Sequence, residues 1–377
     1  MWAHLAVAAA AAAVTAVVTP LVIRLARRIG ALDHPGGPRK IHRVATPTLG
    51  GLAMLVGFLV AILVASQLVE FGPLFEHTSE PVALIVGALV IVAIGVADDL
   101  IGLPPTIKLA GQIVAALVVA VFGIQLAYFW IPGFDVLLVL SGDLGLPLTV
   151  LALVAMINAV NLIDGLDGLA AGVAAIAGTA FYLFTLRTDL RENIPTSASL
   201  VAVIVVGVAI GFLMHNRHPA RIFMGDTGAM LLGLLLGAAG VSFVGRNVAP
   251  SSVDFYGAMP LLIPGLVLAV PFLDTAFAIV RRLVRGVPVA LADRGHVHHR
   301  LLRMGHSHRR AVLIFYYWSA VAAFGSVAPV FVPLPRLVPW GIGALAVGAI
   351  LTLVGGRGPA RDVATAPSME DRPTGTE

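Results

Sequence analysis

Residues Asn158 to Gly168 read Asn-Ala-Val-Asn-Leu-Ile-Asp-Gly-Leu-Asp-Gly, two amides and two carboxylates set between long apolar runs. An Asp at the centre of a membrane-spanning helix costs roughly 2.5–3.5 kcal/mol on insertion scales, so a chain that keeps one gains something from it. Asn158, Asn161 and Asp164 recur at every third residue and form one polar stripe for as long as a helix lasts. Gly165 and Gly168 then loosen the helix and let the backbone approach a ligand. A polar stripe of this kind can also glue helices together. Two further acidic motifs weigh on the side of chemistry.

Asp98-Asp99 closes another apolar run, where adjacent carboxylates repel each other and the negative end of the helix dipole. They need a cation or a shared proton, the alternative being a solvated helix end. Phe223-Met224-Gly225-Asp226-Thr227-Gly228 precedes a third run. Asp226 and Thr227 are good helix caps there, and a helix N-terminus also favours anions. Hard oxygen donors from Asp and Asn suit Mg²⁺, which binds substrate phosphates with one or two carboxylates.

Residues 281–310 hold five of the eleven histidines, in Asp293-Arg294-Gly295-His296-Val297-His298-His299-Arg300 and at His306 and His308. Arg and His together suit a phosphate-bearing substrate. Zinc is the rival reading, without a Cys or an HExxH pair to support it. An orienting basic loop would explain the arginines but not the histidines. In the first loop, Asp33-His34-Pro35-Gly36-Gly37-Pro38-Arg39-Lys40-Ile41-His42 makes a turn whose Arg39, Lys40 and His42 can meet substrate phosphate or anionic lipid. Asp274 is read as a structural partner of Arg281 or Arg282.

These motifs need elements to hold them, and the composition says which. The chain is 59% hydrophobic and 12% charged, with a mean hydropathy of +0.97, outside the range of soluble globular domains. It has no cysteine, hence neither disulfides nor thiolate metal sites. The net charge of +4 and the lack of basic runs interleaved with aromatics argue against nucleic acid as a partner. At ~20 apolar residues per span, an all-α polytopic membrane protein of about ten or eleven helices is expected. The spans fall near 4–23, 49–69, 81–97, 107–123, 147–163, 168–186, 197–214, 228–244, 258–280, 311–330 and 337–354. Residues 124–146 read as a Gly/Pro-marked connection with some apolar character. Pro264 and Pro271 predict a kink in the ninth span. Residues 1–354 are expected to form a single transmembrane catalytic domain, and 355–377 a disordered cytoplasmic tail. The first apolar run lacks preceding basic residues and a cleavage site and is read as a retained helix.

With eleven spans and the N-terminus outside, 20 of the 24 Lys and Arg residues fall on one side, counting Lys108 at its helix end. The positive-inside rule makes that side cytoplasmic, and every motif above lies on it. A transporter would instead gather polar groups at mid-membrane and show internal repeats.

Asp98-Asp99, Asn158 to Gly168, Met224 to Gly228 and His296-Val297-His298-His299-Arg300-Leu301, in this order and on one face, resemble the polyprenyl-phosphate N-acetylhexosamine-1-phosphate transferases. The likeness covers roughly residues 20–330. The H-x-H-H-R-L form resembles the WecA/TagO branch more than MraY, with Val297 where Ile is usual. The resemblance implies transfer of GlcNAc-1-phosphate from UDP-GlcNAc to a polyprenyl phosphate with release of UMP. That would start a lipid-linked envelope glycan such as a cell-wall linker, an O-antigen or a teichoic acid. It implies a Mg²⁺ cofactor with Mn²⁺ as substitute, held by Asp226 and Asn161, and catalytic roles for Asp98, Asp99 and Asp226. Asn158, Asp164, Asp167, Arg294, His296, His298, His299, Arg300, Lys40 and His42 are the implied substrate-binding residues, with Asp167 toward the uridine. The active site would face the cytoplasm from the inner membrane, and homodimers occur in such a family. The alternatives are a MraY-like muropeptide transferase and, from another class, a nucleotide-sugar or proton-coupled transporter. A CDP-alcohol phosphotransferase would need an Arg soon after Asp164-Gly165, where Leu166 to Ala171 stand instead.

Overall fold

The computed structural model describes residues 1–35, 44–131, 136–140, 142–192, 196–246, 301 and 304–354. Lys40, His42, Arg294, His296, His298, His299, Arg300, Asp274, the prolines of the ninth expected span and the tail lie outside the described residues.

In lipid every backbone N–H and C=O must be satisfied within its own segment, which leaves an apolar chain with helices. The described helices are α1 (Trp2–Ile29), α2 (Gly50–Ser66), α3 (Gly72–His77), α4 (Glu80–Ile101), α5 (Pro105–Val121) and α6 (Gly142–Ile163). They continue with α7 (Leu169–Glu192), α8 (Ser197–Asn216), α9 (Gly225–Arg246), α10 (His308–Val327) and α11 (Leu334–Leu353). Eight of them are long and apolar enough to cross a membrane, or nine if the bent α2–α3 pair counts as one span. Their ends follow local chemistry. Gly30 and Gly102, both in the left-handed region, close α1 and α4, and Pro104-Pro105 opens α5. Thr196 and Ser199 form a capping box at the start of α8.

Two regions differ from the sequence expectation. The link between the second and third expected spans is itself partly helical: after α2 the chain turns by 90° into a short helical segment that includes α3. The 124–146 connection contains an antiparallel hairpin, β3 (Tyr128–Ile131) with β4 (Val136–Val139), pairing Phe129 with Leu138. Aromatic and branched residues flank Pro132-Gly133, so the strand signal was present, but both strands are too short to stand out beside the helical runs. A second, two-residue pairing joins β1 (Leu32–Asp33) to β2 (Thr46–Pro47).

α9 is the centre of the bundle. It packs on α2, α4, α6 and α8, and its spanning window is 100% buried, against 6% for α11 at the periphery. Hydrophobicity cannot drive this packing in lipid, where close approach at small residues does the work. A Cβ on Gly95 of α4 would collide with the backbone of Thr227, so α4 and the first turn of α9 touch main chain to main chain. The start of α2 joins the same place: Gly50 and Gly51 N–H donate to the carbonyls of Phe223 and Met224, both at 3.1 Å. This fixes the Met224–Gly228 turn from two sides.

Candidate active site

Asp98 lies in the last turn of α4. The Gly102 stop and the two prolines then reverse the chain, which returns as α5 with Lys108 one turn in. Lys108 Nζ lies 2.8 Å from Asp98 Oδ2 and 2.6 Å from Asp226 Oδ1. The Leu103 N–H donates to Asp98 Oδ1 at 2.7 Å, which locks that carboxylate against the turn. The cation that the Asp98-Asp99 pair demanded is therefore a lysine ten residues on. Its signal in the sequence was faint: it is one of only two lysines in the chain, and it sits in an apolar helix.

Asp99 points elsewhere. Its Oδ1 accepts the Asp226 N–H at 2.8 Å, and its Oδ2 accepts the Thr227 N–H at 3.2 Å and the Thr227 hydroxyl at 2.6 Å. These are the free N–H groups of the first turn of α9. The cap of α9 therefore comes from α4, not from Asp226 or Thr227 as their position in sequence suggested. Relieved of capping, Asp226 turns its carboxylate to Lys108. Gly225, at φ +68°, has no room for a Cβ because the Asp99 carboxylate packs against it.

Asn161 of α6 lies within hydrogen-bonding reach of the Asp226 carboxylate. One turn deeper is a matching layer. Gln112 follows Lys108 by four residues, Met230 follows Asp226 by four, and Asn158 precedes Asn161 by three. Asn158 Nδ2 donates to Gln112 Oε1 at 2.7 Å and to the Val154 carbonyl at 2.8 Å, while Gln112 Nε2 reaches Met230 Sδ at 3.4 Å. The Asn158 amide is thus engaged between helices. Gln112, buried at 1% exposure, was not singled out in the sequence.

Between α6 and α7 the chain turns through Asp164 to Gly168. Burial pushes the Asp164 carboxyl up to about 8, and the charges of Asp226, Asp99 and Asp167 push the same way. Asp167 Oδ2 meets His218 Nδ1 at 2.7 Å and accepts the Ala220 N–H at 3.2 Å. Gly168, at φ +79°, donates its N–H to Asn216 Oδ1 at 2.9 Å, and its carbonyl accepts the Tyr316 hydroxyl at 2.6 Å. The turn is thereby tied to α8 and α10. His218, Asn216 and Tyr316 are further residues that local spacing did not mark, and His308 was marked only as one of the histidines of 281–310.

Asp98, Asp99, Asp164, Asp167 and Asp226 thus lie at one end of the bundle, with Lys108 as the ammonium paired to two of them. Asp98 and Asp226 already grip a cation between them, and an Asn161 amide turned about its axis offers a third oxygen. This oxygen set fits Mg²⁺.

The profile of Glycosyl transferase family 4 matches residues 81–244. The decaprenyl-phosphate N-acetylglucosaminephosphotransferase of Mycobacterium tuberculosis is 39% identical over 355 residues, covering 91% of this chain and 87% of that protein. The chain belongs to glycosyl transferase family 4. The probable undecaprenyl-phosphate N-acetylglucosaminyl 1-phosphate transferase of Bacillus subtilis is 36% identical over 300 residues, 80% of this chain and 77% of that protein. A phospho-N-acetylmuramoyl-pentapeptide-transferase of Desulforudis audaxviator is a more distant relative, 34% identical over 337 residues, 82% of this chain and 93% of that protein. The family match runs from α4 to α9 and so encloses Asp98, Asp99, Lys108, Gln112, Asn158, Asn161, Asp164, Asp167 and Asp226. The start of α2 and the Tyr316 and His308 contacts of α10 lie outside the part matched.

Proposed function

We propose that this membrane protein transfers GlcNAc-1-phosphate from UDP-GlcNAc to a polyprenyl phosphate with release of UMP, using Mg²⁺, from the cytoplasmic face of the inner membrane. The observation that carries this is the meeting of α4, α5, α6 and α9 around one ammonium, with Lys108 against Asp98 and Asp226 and Asn161 beside them. The names of the relatives supply the donor and acceptor class.

The reaction joins two anions, so charge neutralisation is its first demand. An acceptor phosphate oxygen attacks the sugar-bearing phosphorus, the bond to the bridging oxygen breaks, and that oxygen leaves on UMP. Lys108 brings positive charge to the incoming phosphates. Asp98 orients the acceptor more than it deprotonates it, because a phosphate monoester with a second pKa near ~6 is largely dianionic at neutral pH. Asp99 holds Asp226 in place through the α9 turn. Asp226 and Asn161 would hold Mg²⁺, which when bound would neutralise charge on the pyrophosphate. Asp164 and Asp167 take the donor's nucleoside end. Arg294, His296, His298, His299 and Arg300, with Lys40 and His42, take phosphate and sugar.

The test offers purified protein labelled UDP-GlcNAc or UDP-MurNAc-pentapeptide with polyprenyl phosphate. Product is expected from UDP-GlcNAc alone, lost with chelator, restored by Mg²⁺ or Mn²⁺, and absent in Asp226→Ala. Product from the muropeptide donor alone would reassign the substrate. Product from neither would refute the transfer.

A further inference from the structure

The Lys108 layer accounts for Asp98, Asp99 and Asp226, and a second cluster, at Asp167, lies outside it. Asp167, His218 and His308 each offer one ligand atom, and the three atoms lie within 4.8 Å of one another. They come from three separate segments: the turn between α6 and α7, the link between α8 and α9, and the first residue of α10.

An Asp–His ion pair explains only part of the cluster. The ring of His308 stacks on that of His218 with centroids 4.2 Å apart and 19° between planes. Both ring nitrogens of His308 are shielded from solvent; the Asp167 backbone lies within reach of one of them, and the other has no hydrogen-bond partner among the described residues. Shielded polar atoms without partners are uncommon and need a reason. A metal ion is such a reason, since a neutral imidazole offers it one lone pair.

We propose that Asp167, His218 and His308 form a cation site for a borderline transition metal of the Zn²⁺ class, separate from the oxygen-lined site at Asp226. Two imidazoles and one carboxylate suit Zn²⁺, whereas Mg²⁺ prefers oxygen alone. Three protein ligands leave the fourth tetrahedral position to water. Bonds of about 2.0–2.1 Å place tetrahedral ligands roughly 3.3 Å apart. Asp167 and His218, at 2.7 Å, are closer than that, so a metal would replace the proton between them and spread them by roughly 0.6 Å, while the third ligand shifts by roughly 1.5 Å or less. Outer contacts are in place as well: the Ala220 N–H reaches Asp167 Oδ2, and Arg309 Nη2 donates to the His218 carbonyl at 3.3 Å. Binding would pin the α6–α7 turn to the start of α10, beside the Tyr316–Gly168 bond. Asp167 is shared with the turn proposed to take the donor, but metal binding is read with neither donor nor acceptor present.

Purified full-length protein, stripped by chelator and kept in excess Mg²⁺, is titrated with Co²⁺ and then Zn²⁺. One equivalent of Co²⁺ should give the intense visible absorption of a tetrahedral site, displaced by Zn²⁺ and not by Mg²⁺. His218→Ala and His308→Ala should each weaken binding by more than about tenfold. The chain has no cysteine, so His308→Cys supplies a unique thiolate whose charge-transfer band should appear with Co²⁺. The band also reports directly on the site should an alanine variant fail to fold. No stoichiometric Co²⁺ binding, no charge-transfer band in His308→Cys, or unchanged binding in the His218→Ala/His308→Ala variant would each overturn the site. The last outcome would place the metal elsewhere, for example at His296 to His299.

Discussion

Two polar layers lie one helical turn apart in the same helices, and they solve the membrane problem differently. The outer one is charged: Lys108, Asp98 and Asp226 stand near helix ends and stay partly accessible, with 21%, 9% and 28% of their side chains exposed. The inner one is neutral: Gln112 and Asn158 bond to each other inside the bundle. Carrying the ionic layer one turn deeper would add a desolvation penalty that an amide pair avoids. The amides instead hold α5 and α6 at one register, which brings Lys108, Asn161 and Asp226 to a common level. On the proposed function, charge does the chemistry at the helix ends and amides set the alignment beneath it.

If that division is right, damage to the outer layer should cost turnover and damage to the inner layer should cost stability. The largest effect is expected for Asp226→Asn, with kcat falling about 10²–10³-fold, the loss typical of removing one electrostatic partner of a transition state. Thermal unfolding in the same detergent should move little. Lys108→Met comes next. Turnover should drop by a similar order, and stability should fall too, because Asp98 and Asp226 are left facing each other without their cation. Adding Asp98→Asn to Lys108→Met should recover stability but not turnover. Recovery of both would mean that Lys108 is only a strut.

Gln112→Leu belongs to the inner layer. It should lower stability by about 1–2 kcal/mol while reducing kcat less than tenfold and leaving KM for the donor near its starting value. The pair Gln112→Leu/Asn158→Leu should be more stable than Gln112→Leu alone, since no amide is then stranded. A kcat loss as large as that of Asp226→Asn would break the comparison.

The smallest effect concerns pH. Asp164 has its pKa raised in the folded state to about 8, so between the ordinary carboxyl range and that value the folded chain binds more protons than the unfolded one. Stability from this group is therefore greatest at low pH and is lost as pH rises toward 8. Asp164→Asn, neutral throughout, should raise the Tm in chelator at pH 8 more than at pH 5. An equal rise at both values would show that the carboxyl is already ionised in the fold.

The helices were legible because lipid requires long apolar runs, and ten of the eleven expected spans coincide with described helices. The acidic motifs were legible because charge is rare in such runs. Their partnerships were not. Lys108 meets Asp226 across 118 residues, and nothing in the spacing of either marks the other. Asp99 and Asp98 are neighbours in sequence, yet one caps α9 and the other holds Lys108, a division set by the direction each side chain leaves the last turn of α4. Gln112 was passed over because one amide in an apolar helix looks incidental until its partner is known. Hairpin β3–β4 was missed because strands of four residues carry little periodic signal.

The enclosure of α9 also bears on how the chain is made. α2, α4, α6 and α8, the helices packed most closely around it, all precede it in sequence. During synthesis the carboxylate of Asp99 and the first N–H groups of α2 must therefore wait for a segment that leaves the ribosome later, while Lys108 has only Asp98. Until α9 arrives, the Asp99 carboxylate lacks the three donors it accepts from in the fold. The arrival of that one helix completes the charged layer in a single step, before α10 packs on α7.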